Sequence, residues 1–120
     1  MPAPIPPART FGHRLRQARL ARGMTQADLG AVLGLREEST AAPRISRYER
    51  GERMPDHDSM EKLAQALGLP VAYFHATSDA AAETLLVMSR LNPEQQQALL
   101  DEVRAFAAKL GLKAETDHSE

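Results

Sequence analysis

Arg44 and Arg47 are the residues of this chain best suited to recognition chemistry. Each guanidinium carries a planar fork of donors that matches O6 and N7 of guanine in a DNA major groove. A spacing of three puts both on one side of a helix. Pro43 stands beside them, and the three are the expected base-reading set. Ser46, Arg50 and Arg53 follow on the same segment and suit flanking phosphates. Thr25 and Gln26 open an upstream helix, whose first N–H groups and positive dipole end also suit a phosphate.

Catalysis is not expected. The chain has no Cys, which excludes thiolate nucleophiles, thiolate metal sites and disulfides. His13, His57, His75 and His118 are scattered, with no helical pair supported by acids. His57 between Asp56 and Asp58 reads as helix capping. No Ser-His-Asp or Cys-His arrangement, Gly-rich phosphate loop or pair of carboxylates in an apolar setting is visible. Neither a metal nor a cofactor is expected.

Composition sets the frame for these residues. One compact domain with a helical extension fits into 120 residues, and 4% aromatics beside abundant Ala, Leu and Arg favour helices. The net charge of -1 hides an asymmetry: residues 1–56 carry a net +4 and residues 57–120 a net -5. A basic half joined to an acidic half suits a polyanion-binding module attached to something that avoids DNA. No apolar run could span a membrane, and Met1 to Pro7 lacks a basic start and is broken by prolines. A cytoplasmic location is expected.

The elements that must position the arginines are all helical. Residues 1–9 form a Pro-rich arm expected to be disordered. Thr10 is the expected cap of a first helix that Gly23 ends. Thr25 caps a second, Gln26 to about Leu33, closed by Gly34. A third should begin near Pro43, because proline belongs in a first turn, with Thr40 as cap, Ser39 as the alternative, and Gly51 as stop. A fourth starts at Pro55-Asp56 and carries Met60, Leu63, Ala64 and Leu67 on one face; Tyr73 and Phe74 then close the core. After a linker at 76–79, Asp79 caps a fifth helix, and Asn92-Pro93-Glu94-Gln95 opens a last one. Arg14, Arg16 and Arg22 read as a solvated face of the first helix. Residues 112–120 read as a disordered tail.

With these elements in place, residues 10–74 resemble the lambda-repressor-like, Cro-type helix-turn-helix family, also called the xenobiotic-response-element type. The matching motifs are Leu15-Arg16-Gln17-Ala18-Arg19, Gly23-Met24-Thr25-Gln26-Ala27-Asp28-Leu29, Ile45-Ser46-Arg47-Tyr48-Glu49-Arg50-Gly51, Pro55 and Leu63-Ala64-Gln65-Ala66-Leu67-Gly68. The resemblance implies an all-α bundle of about five helices over residues 10–75. It places phosphate contact and support of the third helix on Gln26. It puts base reading on Ala42, Pro43, Arg44 and Arg47, and a structural ion pair on Arg19 and Glu49. The turn before the third helix, through Arg36 to Thr40, is about five residues longer than the family's usual length.

Residues 80–111 then form one or two C-terminal helices. Leu99, Val103, Phe106 and Leu110 make a narrow apolar seam on the last, which reads as a dimer interface or a surface for a protein partner, the alternative being a stripe that packs back on the domain or on Leu85, Leu86 and Met88. The expected function is a transcriptional regulator, a repressor, that reads a palindromic operator in double-stranded DNA as a homodimer. The alternatives are the antitoxin of a toxin–antitoxin pair and a protein-interaction adaptor without DNA binding.

Overall fold

Residues 6–35 and 37–112 are described by a computed structural model, apart from the Glu38 side chain. Among them the regular structure is helical throughout: α1 Pro7–Ala21, α2 Gln26–Ala31, α3 Glu38–Glu49, α4 His57–Leu67, a 3-10 helix Val71–His75, α5 Asp79–Ser89 and α6 Pro93–Lys109. The expected all-α class holds. The arm expected over 1–9 and the tail over 112–120 lie outside the described residues at 1–5 and 113–120, as does Arg36. No described helix is long and apolar enough to cross a membrane.

The core is built where helical periodicity puts apolar side chains on one stripe. Phe11, Leu15 and Ala18 of α1 meet Leu29 of α2, Ile45 and Tyr48 of α3, and Leu63, Ala64 and Leu67 of α4. Phe74 closes this cluster, its ring 5.4 Å from that of Phe11. Complete burial of each large side chain is worth about 1.5–3 kcal/mol, so this cluster dominates the stability of the bundle.

Two helix starts differ from expectation. α1 begins at Pro7 with Pro6 as its cap, three residues before Thr10. Proline at a first helical position loses nothing, since that N–H has no partner there, and its φ is already helical. α3 begins at Glu38, capped by Glu37, so Pro43 lies inside the helix. Thr40 is not the cap; its hydroxyl donates to the Glu37 carbonyl at 3.0 Å. An interior proline removes one backbone hydrogen bond and disfavours the helix by about 3 kcal/mol. Contact with α2 offsets this cost. Ala41 is buried, and Gly30 of α2 lies so close that a Cβ there would stand 2.6 Å from the Ala41 Cβ. Residues of the long connection thereby become the first turns of α3.

The chain divides into two compact units, Met1–Val87 and Met88–Glu120. The division falls within α5, not at 76–79. Most of α5 belongs with the first unit because its start is tied down. Ala82 is buried, and the Asp79 carboxylate accepts from Arg14 of α1 at 2.7 Å. Asp79 is therefore not the cap; the Ser78 hydroxyl oxygen accepts from the Ala81 N–H at 3.1 Å. In the second unit α6 starts at a reciprocal cap between Asn92 and Gln95, with Pro93 at its first position.

Candidate nucleic-acid interface

The orientation of α3 is fixed by its backbone against α1. A Cβ at Gly12 would collide with the Tyr48 carbonyl oxygen and stand 2.6 Å from that of Glu49, so only glycine fits there. Ile45 and Tyr48 fill the core from the same side of α3. Pro43, Ser46, Arg47 and Arg50 therefore project from the opposite side.

An ion-pair network locks this orientation. The Arg19 Nε donates to Glu49 Oε2 at 2.6 Å and Nη2 to Oε1 at 3.1 Å. Arg19 Nη1 donates to the Met24 carbonyl at 2.9 Å. Gln26 Nε2 also donates to Glu49 Oε1 at 3.1 Å. The two charged side chains are 10% and 3% exposed, so each has given up most of its hydration for its partner. Loss of either would strand the other, the costly case for a buried pair. An amide NH2 has two donors, and Gln26 retains one beyond the bond to Glu49.

Between the start of α2 and the outer side of α3 lies an open concavity of about 380 Å³, lined by Gln26, Ala42, Pro43, Ser46, Arg47 and Arg50. All six are expected contact residues, brought together from two helices. Arg47 is exposed and forms no ion pair among the described residues. Arg50 pairs with Glu52 at 2.8 Å, both well exposed. Such a surface pair is weak and can be exchanged for a phosphate.

Three expected contact residues lie elsewhere. Arg44 is half-buried on the flank of α3 and does not line the concavity. Successive residues turn by about 100° on a helix, so Arg44 and Arg47 sit about 60° apart, and only Arg47 faces outward fully. Thr25 accepts from the Asp28 N–H at 3.0 Å and its own N–H donates to the Asp28 carboxylate at 2.9 Å. Those hydrogen bonds hold the Asp28 carboxyl below its ordinary value of 3.8. A carboxylate thus already occupies the α2 end beside Thr25. Arg53 lies past Gly51, exposed, and its charge helps to lower the Asp56 carboxyl, whose main hydrogen-bond donor is the Ser59 N–H.

Arg14 is a correction to the solvated α1 face. It is 6% exposed, with Nε donating to the Ala76 carbonyl at 3.2 Å and its guanidinium 5.9 Å from the Tyr73 ring centre. Nothing local in the sequence signals this, because the partners stand 62 and 65 residues away. No grouping of three or more potential metal ligands occurs among the described residues.

A buried scaffold that holds one helix with a polar outer face against a second defines a helix-turn-helix protein. The helix-turn-helix family matches residues 15–74, half of the chain. The chain belongs to that family, the lambda-repressor-like helix-turn-helix regulators. It is similar to the 26 kDa repressor protein of Escherichia phage HK022, 35% identical over 92 residues. That match takes in 77% of this chain and 39% of the phage protein, so the chain spans well under half of that relative. Its fold is similar to the crystal structure of the transcriptional regulator BswR, with a TM-score of 0.69 and 35% identity over 82% of this chain and 96% of that one.

Proposed function

We propose that this chain is a DNA-binding transcriptional repressor that reads a palindromic operator as a homodimer. The observation that carries the reading is the concavity along α3, where Gln26, Ser46, Arg47 and Arg50 converge on a face held rigid from behind. Arg47 reads a guanine edge. The remaining Gln26 donor, the Ser46 hydroxyl and Arg50 take phosphates on either side, and Arg53 and Thr25 lie at the margins of the footprint. Arg44, on the flank, contributes at the groove wall.

The second copy docks through α6. Val103, Phe106 and Leu110 are 49%, 64% and 60% exposed, and Leu99 is half-buried beside them. An apolar stripe left open on a capped helix is stabilised by burial against another helix. Two heads joined in this way would meet half-sites about 34–36 Å apart, one turn of DNA. Repression follows from occupying an operator that polymerase must cross. The same α6 stripe would also serve an unlike helical protein, as an antitoxin's does.

Selection from a random duplex pool, with sedimentation of the free chain, tests the reading. The expected result is a two-fold symmetric enriched site, affinity that falls steeply with salt, and a dimer. Absence of enrichment at low salt overturns DNA reading. A monomer that still selects a site overturns the dimer and favours the unlike partner.

A further inference from the structure

The concavity along α3 has an apolar wall that none of the polar contacts uses. Ala42 and Pro43 stand side by side there, between Gln26 on α2 and Ser46, Arg47 and Arg50 further along α3. Pro43 is exposed, and it sits inside α3 rather than at its end. It therefore projects from the reading face with full helical geometry behind it. Its ring has no donor or acceptor, and its backbone nitrogen carries no hydrogen. The Ala42 methyl, half-buried, extends the same apolar surface. Packing within the protein does not explain this surface, because Ala41, Ile45 and Tyr48 make the core contacts of this stretch.

Such a surface cannot answer any hydrogen-bonding group on a base edge. The major groove offers one apolar landmark, the C5 methyl of thymine. We propose that Ala42 and Pro43 form a receptor for a thymine methyl, so that this chain selects thymine at one fixed position of each half-site by contact without hydrogen bonding. Arg47 lies four residues beyond Pro43, about 6 Å along the helix axis. Base pairs are spaced about 3.4 Å apart, so the thymine falls one or two base pairs from the guanine that Arg47 reads. The inference rests on the DNA-binding reading above and sharpens it to an operator feature.

The test uses the full chain and the site enriched from a random pool. Each thymine is replaced singly by deoxyuridine, which keeps the base pair and removes only the methyl. One thymine per half-site is expected to cost about fourfold in affinity when so replaced, the value of burying one methyl-sized group. Pro43→Ser, which returns a backbone N–H to α3 and leaves the core untouched, should bind with helicity unchanged and lose most of that deoxyuridine penalty. Replacing the same T·A pair by C·G should weaken binding, and 5-methylcytosine in place of that cytosine should restore part of the loss. An enriched site in which no deoxyuridine substitution matters overturns this inference and leaves the DNA-binding reading intact. A deoxyuridine penalty equal in the wild type and Pro43→Ser also overturns it, placing the methyl contact elsewhere. Failure to enrich any site overturns both.

Discussion

The head and the C-terminal helix solve the burial problem in opposite ways. In the head, Phe11, Leu15, Leu29, Ile45, Leu63, Leu67 and Phe74 are all but inaccessible to solvent. In α6 no residue is buried, although the helix is as well started as any in the chain, with a reciprocal Asn92–Gln95 cap. Local signals thus suffice to define where a helix begins, but they do not supply its stability. Helical stability in proteins comes mainly from packing an apolar face. The head has packed its own, whereas α6 leaves Val103, Phe106 and Leu110 outside.

The largest effect should come from emptying the head's core. Phe11→Ala removes a ring that touches Phe74 and should cost about 3–5 kcal/mol, read as a lower midpoint in urea unfolding. A comparable truncation in α6 that cost the head as much would break the contrast. Next comes the network behind the reading helix. Glu49→Ala leaves the Arg19 guanidinium, 10% exposed, without its carboxylate and should cost about 3 kcal/mol. The double variant with Arg19→Met should recover much of that loss.

A smaller effect belongs to the outer face of α3. Arg47→Ala should leave stability within about 0.5 kcal/mol of wild type, while base discrimination falls by about 1–3 kcal/mol at one position of each half-site. Arg50→Ala should instead weaken all sequences alike and flatten the salt dependence, as measured by titration at several salt concentrations. Phe106→Ser should shift the chain to monomer in sedimentation, with the unfolding midpoint of the head unchanged. A Phe106→Ser chain that unfolds earlier yet stays dimeric would mean that the α6 stripe serves folding and not assembly.

The smallest effect is one of pH. Asp28 completes the reciprocal cap that Thr25 opens on α2, Asp56 caps α4, and both carboxyls are held below the ordinary value of 3.8 by the N–H groups they accept from. A lowered native value means that their stabilisation is complete above 3.8 and disappears as pH falls through the lower native one. α6 is capped by Asn92 and Gln95, which do not titrate. Amide exchange at Thr25 and Ser59, whose N–H groups donate to these carboxylates, should therefore accelerate below about pH 4, with Asn92 and Gln95 unaffected.

Much of the head was legible because its signals are local. Thr25 with Asp28, Asp56 with Ser59, and Gly23, Gly51 and Gly68 at positive φ each mark a helix boundary within a few residues. The apolar spacing of Leu63, Ala64 and Leu67 likewise shows its buried stripe directly. What escaped depends on distant partners. The start of α3 is decided by Ala41 against Gly30, a contact between helices that outweighs the local preference for proline in a first turn. Arg14 looked like a solvent-facing arginine because Ala76 and Asp79 lie far along the chain. For the interface, residue types marked α3, but only the arrangement of its faces separates Arg47 on the concavity from Arg44 on the flank.

The tie between Arg14 and the start of α5 also sets where the molecule can be cut. A fragment ending at Phe74, where the family match stops, would keep every large side chain of the core. It would nevertheless remove the Ala76 carbonyl and the Asp79 carboxylate that Arg14 contacts. A protein engineer wishing to graft this reading head onto another partner should place the junction beyond Ala82, inside the first compact unit's end at Val87. The modular part is longer than the stretch that matches the family by most of a helix.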